Sequence, residues 1–183
     1  MNIGVVTTSV HAGTHADAPL HVESTWGDSA ALPPAAFVGE ACVIALPNGF
    51  DSNAEISIEV LVGVIAERAE NTSIDFPSRL LCRTGRSVAT GSFPDAWPVL
   101  SESAAAWLVA QGLVLWGTDA PSVDARTSKL LPVHHLLFAG GAYLLENLSL
   151  AHVTPGMYEL LAQPLSIADA DAAPVRAMLR ALA

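Results

Sequence analysis

The chain has 183 residues, of which 51% are hydrophobic and 14% are charged, and its formal net charge at pH 7 is −10. The eight Lys and Arg residues are scattered and form no basic stripe, which argues against a nucleic-acid-binding protein. No apolar run reaches the roughly 18 residues that span a bilayer, so the hydrophobic excess indicates burial between subunits, and we expect an oligomer. The length is that of one domain over residues 1–183.

Cysteine usage and the first residues indicate where the protein resides. Cys42 and Cys82 are isolated and lack Cys-x-x-Cys spacing, which suggests buried thiols in a reducing compartment, although the sequence leaves a disulfide between them open. The N-terminal residues contain neither the basic region nor the long apolar stretch of a secretory signal. We therefore expect a cytoplasmic protein.

Strands dominate the predicted elements. β-branched residues predict a first strand over residues 3–10, which leads directly into a histidine-rich segment. Short apolar runs predict further strands at residues 41–46, 79–83, 113–116, 142–145 and 158–162. The tail, residues 175–182, fits either a helix or a strand.

Two helices are predicted between these strands. One covers residues 57–69 with Ser57 as its N-cap, and the other covers residues 102–111 between an N-cap at Ser101 and a terminating Gly112. Because strands outnumber helices and the helices are interspersed, we expect an α/β or α+β fold with a mixed sheet.

The most informative segment is residues 11–21, which has the pattern His-x-Gly-Thr-His-x-Asp-x-Pro-x-His and holds half of the six histidines. Imidazole and carboxylate are ligands that zinc prefers, and such a metal activates water near neutral pH, so the segment predicts a metal-dependent hydrolase site. In an extended chain His11 and His15 would lie roughly 13 Å apart, too far to share one ion. The backbone must therefore curl between them, which Gly13 permits.

A second cluster lies downstream, where His134 and His135 are followed twelve residues later by Glu146 at the end of an apolar run. A carboxylate directly after a buried strand is costly unless it is paired or metal-bound, but a solvated glutamate at a strand end fits the spacing equally well. Asp119 is interpreted as a turn residue rather than a site residue. His152 is interpreted as structural or exposed. The sequence has no nucleophile elbow, phosphate-binding glycine loop or dinucleotide fingerprint, so no organic cofactor is expected.

The pattern at residues 11–21 resembles the signature of the metal-dependent cyclase family, which includes kynurenine formamidases and isatin hydrolases. Among these members, the bacterial kynurenine formamidases (arylformamidases) are the most similar. The resemblance continues in order through residues 117–124, 134–135, 144–148, 154–160, 164–167 and 173–180. The first motif is highly specific, and the later ones mainly support the family assignment.

This resemblance implies a swivelling β/β/α-type fold, a homodimer, and a centre of two zinc ions, with manganese as the other candidate metal. The metal ligands that it implies are His11, His15, Asp17, His134 and Glu146. His11 and His15 would bind one ion, His134 would bind the second, and the two carboxylates would bridge both. Between the adjacent histidines, His134 fits the spacing to the glutamate better than His135. His21 would be the proton donor and acceptor.

The resemblance also implies a reaction, the hydrolysis of N-formyl-L-kynurenine to L-kynurenine and formate in tryptophan degradation. Two alternatives remain: hydrolysis of isatin or another cyclic or aryl amide, and a catalytically silent metal-binding protein. Family members usually carry a few dozen residues before the strand expected at residue 3, and that segment contributes to the sheet and the substrate pocket. We expect this chain to be a family domain that lacks the usual N-terminal segment.

Overall fold

The computed structural model describes residues 1–66 and 76–182 of the chain. The main elements alternate between strands and helices. In chain order they are β1 (His15–Asp17), β2 (Val38–Ala45), β3 (Glu55–Ile56), α1 (Ile58–Ala66), β4 (Arg79–Arg83), β5 (Val99–Leu100), α2 (Glu102–Ala110), β6 (Leu115–Thr118), α3 (Pro132–Ala139), β7 (Tyr143–Leu145), β8 (Gly156–Leu161), β9 (Ala172–Pro174) and β10 (Met178–Ala181).

Within the described residues, the largest sheet has six strands in the order β10-β8-β2-β4-β6-β7. Strands β2, β4, β6 and β7 are parallel neighbours, whereas β8 pairs antiparallel with both β2 and β10. Helices α1, α2 and α3 each lie between two successive parallel strands in the chain, as parallel connections require. The predicted mixed sheet of an α+β fold is confirmed.

Both faces of the parallel strands are buried. On β2, Ile44 packs into a core shared with the helices, and its neighbour Val43 packs into a second core on the opposite face. Strand β4 repeats the alternation with Leu80 and Leu81. Successive side chains of a strand point to opposite faces, so a strand covered on both sides reads as a short continuous apolar run. This explains why the sequence revealed these strands without an alternating pattern.

Short pairings beside the main sheet position the histidine-rich segment. Strand β1 pairs antiparallel with β9, with His15 opposite Pro174 and Asp17 opposite Ala172. His15 also forms an isolated antiparallel bridge with Glu146, which directly follows β7. β1 therefore lies between β9 and the end of β7, which is an edge strand of the six-stranded sheet. This pairing brings distant parts of the chain together.

The strand predicted over residues 3–10 is wrong. Residues 1–9 are exposed and without regular structure, and the chain turns at residue 10. β-branched residues favour extended backbone, but a strand forms only where a partner offers pairing and a surface to cover. Ile3, Val5 and Val6 are each more than three-quarters exposed, so this segment has no such surface among the described residues.

Most other predicted elements are confirmed, with shifted ends. The strand at residues 79–83 coincides with β4, whereas the strand predicted at 113–116 begins later, at Leu115. Helix α2 has Ser101 as its N-cap, with the hydroxyl oxygen accepting from the Ala104 N–H. Ser57 caps the start of α1, since its Oγ accepts from the Val60 N–H, and residues 67–69 of that predicted helix lie outside the described residues. The tail, for which the sequence left helix and strand open, forms strand β10. Helix α3 was not predicted.

Two expectations from composition concern the cysteines and the membrane. Cys42 and Cys82 are both buried thiols, so the expected buried thiols are confirmed and the disulfide that the sequence left open between them is not formed. In the part of the chain that the structure describes, every helix is too short or too polar to cross a membrane.

Candidate metal centre

The backbone curls between the first two histidines as the spacing requires. Gly13 has a φ of +69°, a left-handed conformation that a side chain would disfavour, and the ring centroids of His11 and His15 come to within 4.9 Å. His15 and Asp17, two residues apart on β1, then point to the same side of the strand. The curl thus turns a linear motif into one compact group.

Asp17 lies at the centre of this group and is almost completely buried. Its Oδ1 is 3.1 Å from His11 Nδ1 and 3.2 Å from His15 Nε2, and its Oδ2 is 3.3 Å from His134 Nε2. The two oxygens of one carboxylate therefore face different imidazoles. This is the arrangement that a carboxylate shared between two cations would adopt.

Glu146 repeats this arrangement from the opposite side. Its Oε2 lies 3.6 Å from His15 Nε2, and its Oε1 lies 3.5 Å from His134 Nε2. The Val123 N–H donates to Oε1 at 3.0 Å and fixes the carboxylate. Glu146 is 4% exposed, so the solvated-glutamate alternative does not hold. Three groups of potential ligands lie among the described residues, and the two that share Asp17 are His11, His15 and Asp17, and Asp17, His134 and Glu146; the third is His11, His21 and Asp171.

Unpartnered polar atoms show that these residues fit a cation. His15 Nε2 and Asp17 Oδ1 are buried and lie 3.2 Å apart, yet neither has a hydrogen-bond partner among the described residues. Leaving buried polar atoms unpaired is costly, so such atoms require an explanation. Imidazole nitrogen and carboxylate oxygen facing one point are the donor set of a borderline divalent cation such as zinc, which would satisfy both atoms.

The electrostatics of the carboxylates lead to the same conclusion. Burial opposes ionisation of Asp17, but His11, His134 and His15 outweigh it and hold the pKa of Asp17 well below its ordinary value. Burial and the neighbouring Asp17 carboxylate raise the pKa of Glu146. Two buried carboxylates thus compete for the same imidazoles, and added positive charge would allow both to ionise.

The same carboxylates raise the pKa values of the imidazoles that face them. The Asp17 carboxylate, assisted by Asp171, raises the pKa of the partly buried His11 to about 9. Burial alone would lower the pKa of His134, but Asp124, Asp17 and Glu146 outweigh it and raise that pKa well above its ordinary value. Without a cation, these rings therefore hold protons that a metal would have to displace.

His21 reaches the centre from a short 3-10 turn over Pro19–His21. Pro19 at the start of this turn fixes the backbone direction, and the His21 N–H donates to the Ala18 carbonyl at 2.9 Å. The His21 ring centroid is 4.6 Å from that of His11 and 5.7 Å from that of His134. His21 thus lies beside both groups of potential ligands.

Two aspartates that sequence reasoning missed support these histidines. Asp171 Oδ2 lies 3.0 Å from His21 Nδ1 and 3.0 Å from His11 Nε2. Asp124 Oδ2 lies 2.7 Å from His134 Nδ1, and the Asp124 carboxylate also accepts from two backbone N–H groups at the start of α3. Asp124 ends the 117–124 segment that carries the family resemblance, and this position was the one sequence signal that could have marked it as a site residue. Asp171 offered none, because its role depends on the β1–β9 pairing.

The other singled-out residues lie apart from the two groups of potential ligands. Asp119 is buried, and its carboxylate accepts from the Thr84 and Gly85 backbones, which agrees with a structural role in the loop after β6. His135 packs edge-on against Trp26 with ring centroids 5.8 Å apart. His152 is exposed, as expected.

The fold and the site together define a class of protein. Buried imidazoles and carboxylates beside the carboxyl end of β7, in a mixed sheet flanked by helices, are the donor set of a metal-dependent hydrolase. The Cyclase family model matches residues 4–125, and the chain belongs to this family.

Individual relatives agree with this assignment. The chain is 39% identical over 180 residues to a kynurenine formamidase of Bacillus mycoides (strain KBAB4), with 98% of this chain and 80% of the relative covered. A structure described as a potential metal-dependent hydrolase with cyclase activity is similar with a TM-score of 0.79 and 28% identity, over 94% of this chain and 80% of that one. Isatin hydrolase A from Labrenzia aggregata is similar with a TM-score of 0.74 and 25% identity, over 94% of this chain and 74% of that one.

Proposed function

We propose that the protein is a kynurenine formamidase, which hydrolyses N-formyl-L-kynurenine to L-kynurenine and formate as a step in tryptophan degradation. The 39% identity to a kynurenine formamidase supports the substrate. One observation carries the hydrolytic chemistry: Asp17 lies between the two imidazoles of one group of potential ligands and the His134 imidazole of the other, and its Oδ1 and the nearby His15 Nε2 are buried without hydrogen-bond partners among the described residues.

We assign two zinc ions to the two groups of potential ligands. His11 and His15 would hold one ion, His134 would hold the other, and Asp17 and Glu146 would help to hold both. When bound, the zinc pair would make water nucleophilic near neutral pH and offset negative charge that develops on the substrate carbonyl oxygen.

His21 moves the proton in this proposal. With Nδ1 engaged by Asp171 at 3.0 Å, Nε2 is the ring nitrogen available to the substrate. It accepts a proton from the attacking water as the new carbon–oxygen bond forms, and returns it to the aniline nitrogen as the carbon–nitrogen bond breaks. Water and formamide thus yield an amine and formic acid, which loses its proton to the solvent as formate, and the imidazole ends in its starting state.

The test combines metal analysis with activity. Purified protein is assayed for bound zinc and for hydrolysis of N-formylkynurenine, together with His15→Ala and His21→Ala. We expect His15→Ala to lose metal and activity together, and His21→Ala to keep metal but lose roughly 10²–10⁴-fold in rate. His152→Ala, at an exposed histidine outside the centre, is the matched control and should behave as wild type. Full turnover in His21→Ala would refute the role of that residue.

The same assay separates the two alternative functions. Structural similarity to isatin hydrolase A favours isatin as the second candidate substrate, and hydrolysis of either compound changes its absorption spectrum. Preference for isatin would replace the proposed substrate with a cyclic amide. Bound zinc without turnover of either compound would instead identify a silent metal-binding protein.

We also propose that the protein acts as a homodimer in the cytoplasm. The hydrophobic content of 51% is high for a chain of this length, and Leu130 and Met178 are among the apolar side chains exposed on the single chain. The two buried thiols fit a reducing compartment. Light scattering during size-exclusion chromatography should give twice the chain mass of 19.0 kDa, and a value equal to that mass would refute the dimer.

A further inference from the structure

One carboxylate oxygen lies between two imidazoles at the edge of the centre. Asp171 Oδ2 is 3.0 Å from His11 Nε2 and 3.0 Å from His21 Nδ1. These are hydrogen-bond distances, so the three side chains need no further ion to explain their approach. The Asp171 side chain is 42% exposed, which keeps the carboxylate partly hydrated and the charge inexpensive to hold.

This contact decides which nitrogen of each ring carries a hydrogen. An ionised carboxylate can only accept hydrogen bonds, so both ring nitrogens that face Asp171 must be donors. In a neutral ring the other nitrogen then has a free lone pair. For His11 that atom is Nδ1, which faces Asp17 Oδ1 at 3.1 Å, and for His21 it is Nε2. The shared oxygen thus prepares one ring to bind a cation and the other to accept a proton.

The backbone holds Asp171 rigidly in this place. The Asp171 carbonyl accepts from the Ala18 N–H at 2.9 Å, which extends the β1–β9 pairing by one residue. The adjoining segment is fixed as well, since the Ala170 carbonyl accepts from the Ser29 N–H at 2.9 Å and the Ile167 carbonyl accepts from Ser29 Oγ at 2.7 Å. A carboxylate anchored on paired backbone can orient two side chains with precision.

We propose that Asp171 is a positioning residue that sets the tautomer and orientation of His11 and His21 through one shared oxygen. The catalytic consequence rests on the proposed function, because it assumes that His21 transfers the proton. The consequence for the tautomers and for metal affinity depends only on the geometry and on a bound cation.

The first experiment measures the tautomer directly. Nitrogen-15 NMR of the zinc-loaded protein at mildly alkaline pH distinguishes a His21 ring protonated on Nδ1 from one protonated on Nε2. We expect the Nδ1–H form in the wild type and a mixture of both forms in Asp171→Ala. Asp169→Asn, an exposed change in the same segment, should keep the wild-type spectrum. An unchanged His21 tautomer in Asp171→Ala would overturn the proposal.

The second experiment measures zinc affinity and steady-state kinetics. Competition with a chelator should show zinc binding weakened roughly 10–100-fold in Asp171→Ala, the loss typical when the partner of a ligating histidine is removed. With saturating zinc, kcat on N-formylkynurenine should fall by a similar factor while KM changes little. Asp171→Asn keeps an accepting oxygen and should recover part of both losses, which also covers the case in which Asp171→Ala folds poorly.

The outcomes separate the two proposals. If the wild type does not hydrolyse N-formylkynurenine but the tautomer and zinc affinity shift as expected, the proposed function fails and the positioning role stands. If the wild type is active and Asp171→Ala retains wild-type kcat and zinc affinity, the positioning role fails and the proposed function stands.

Discussion

Removal of the Asp124 carboxylate should destabilise the protein and weaken metal binding at once. The carboxylate is 3% exposed and accepts from the Val133 N–H at 3.2 Å, the His134 N–H at 3.1 Å and His134 Nδ1 at 2.7 Å. Asp124→Ala leaves two buried backbone donors without an acceptor, at about 1–3 kcal/mol each. We therefore expect a loss of about 2–6 kcal/mol in the free energy of unfolding.

Urea unfolding of the metal-free protein measures this loss without a contribution from zinc. Asp124→Asn is informative because its single oxygen can replace only one of two accepting atoms, and its NH₂ group would meet a donor; about 1–3 kcal/mol should be lost. Zinc affinity, measured separately by chelator competition, should fall about 10–100-fold because His134 loses the partner that orients it. Asp95→Asn is the control, since the fully exposed Asp95 pairs only with the exposed Arg126 among the described residues. An unchanged urea midpoint for Asp124→Ala would show that this carboxylate does not stabilise the start of α3.

Three further predictions follow from packing, protonation and burial. Gly117→Ala should cost about 1–3 kcal/mol in urea unfolding, because its added Cβ would lie 2.4 Å from Leu81 Cδ2 inside the sheet; an undiminished midpoint would contradict this. Zinc binding near pH 7.5 should release at least one proton, because the metal-free pKa of His11 is raised to about 9 and the ring must be neutral to bind metal. The His11 contribution to this release should be lost as the pH rises above about 9, and calorimetry in buffers of different ionisation enthalpy would measure it as the difference between the wild type and His11→Gln. Neither Cys42 nor Cys82 should react with thiol reagents until the protein unfolds, because both thiols are buried. In addition, burial and the nearby Asp119 carboxylate raise the pKa of Cys82, so little of the reactive thiolate forms. Rapid labelling of the folded protein would contradict this prediction.

The parts of the fold and site that depend on residues close together in the sequence could be predicted from it. The distance argument on His11 and His15 required a bend, and Gly13 supplies it with a φ of +69°. The apolar run before Glu146 indicated a buried strand, and the carboxylate is indeed buried directly after β7. Both predictions rest on residues close in sequence: two histidines must reach one ion in the first case, and a carboxylate must follow a buried strand in the second.

The parts that depend on tertiary pairing could not be predicted. Asp171 reaches the histidines because β9 pairs with β1, and no spacing along the chain reveals that register. Helix α3 is short, and its N-cap Leu131 has a φ of 45° without a side-chain cap, so the usual start signal is missing. The strand predicted over residues 3–10 is wrong for the opposite reason, since a segment of strong strand propensity has no partner strand among the described residues.

The bridge between His15 and Glu146 and the pairing of β1 with β9 also set an order of events during synthesis. The ribosome releases the chain from its N-terminus, so the imidazole-rich segment emerges long before Glu146, and longer still before Ala172. Until then its polar side chains remain hydrated and cannot complete the centre. Maturation of the metal centre is therefore a late step, in which segments made later close over a segment made earlier.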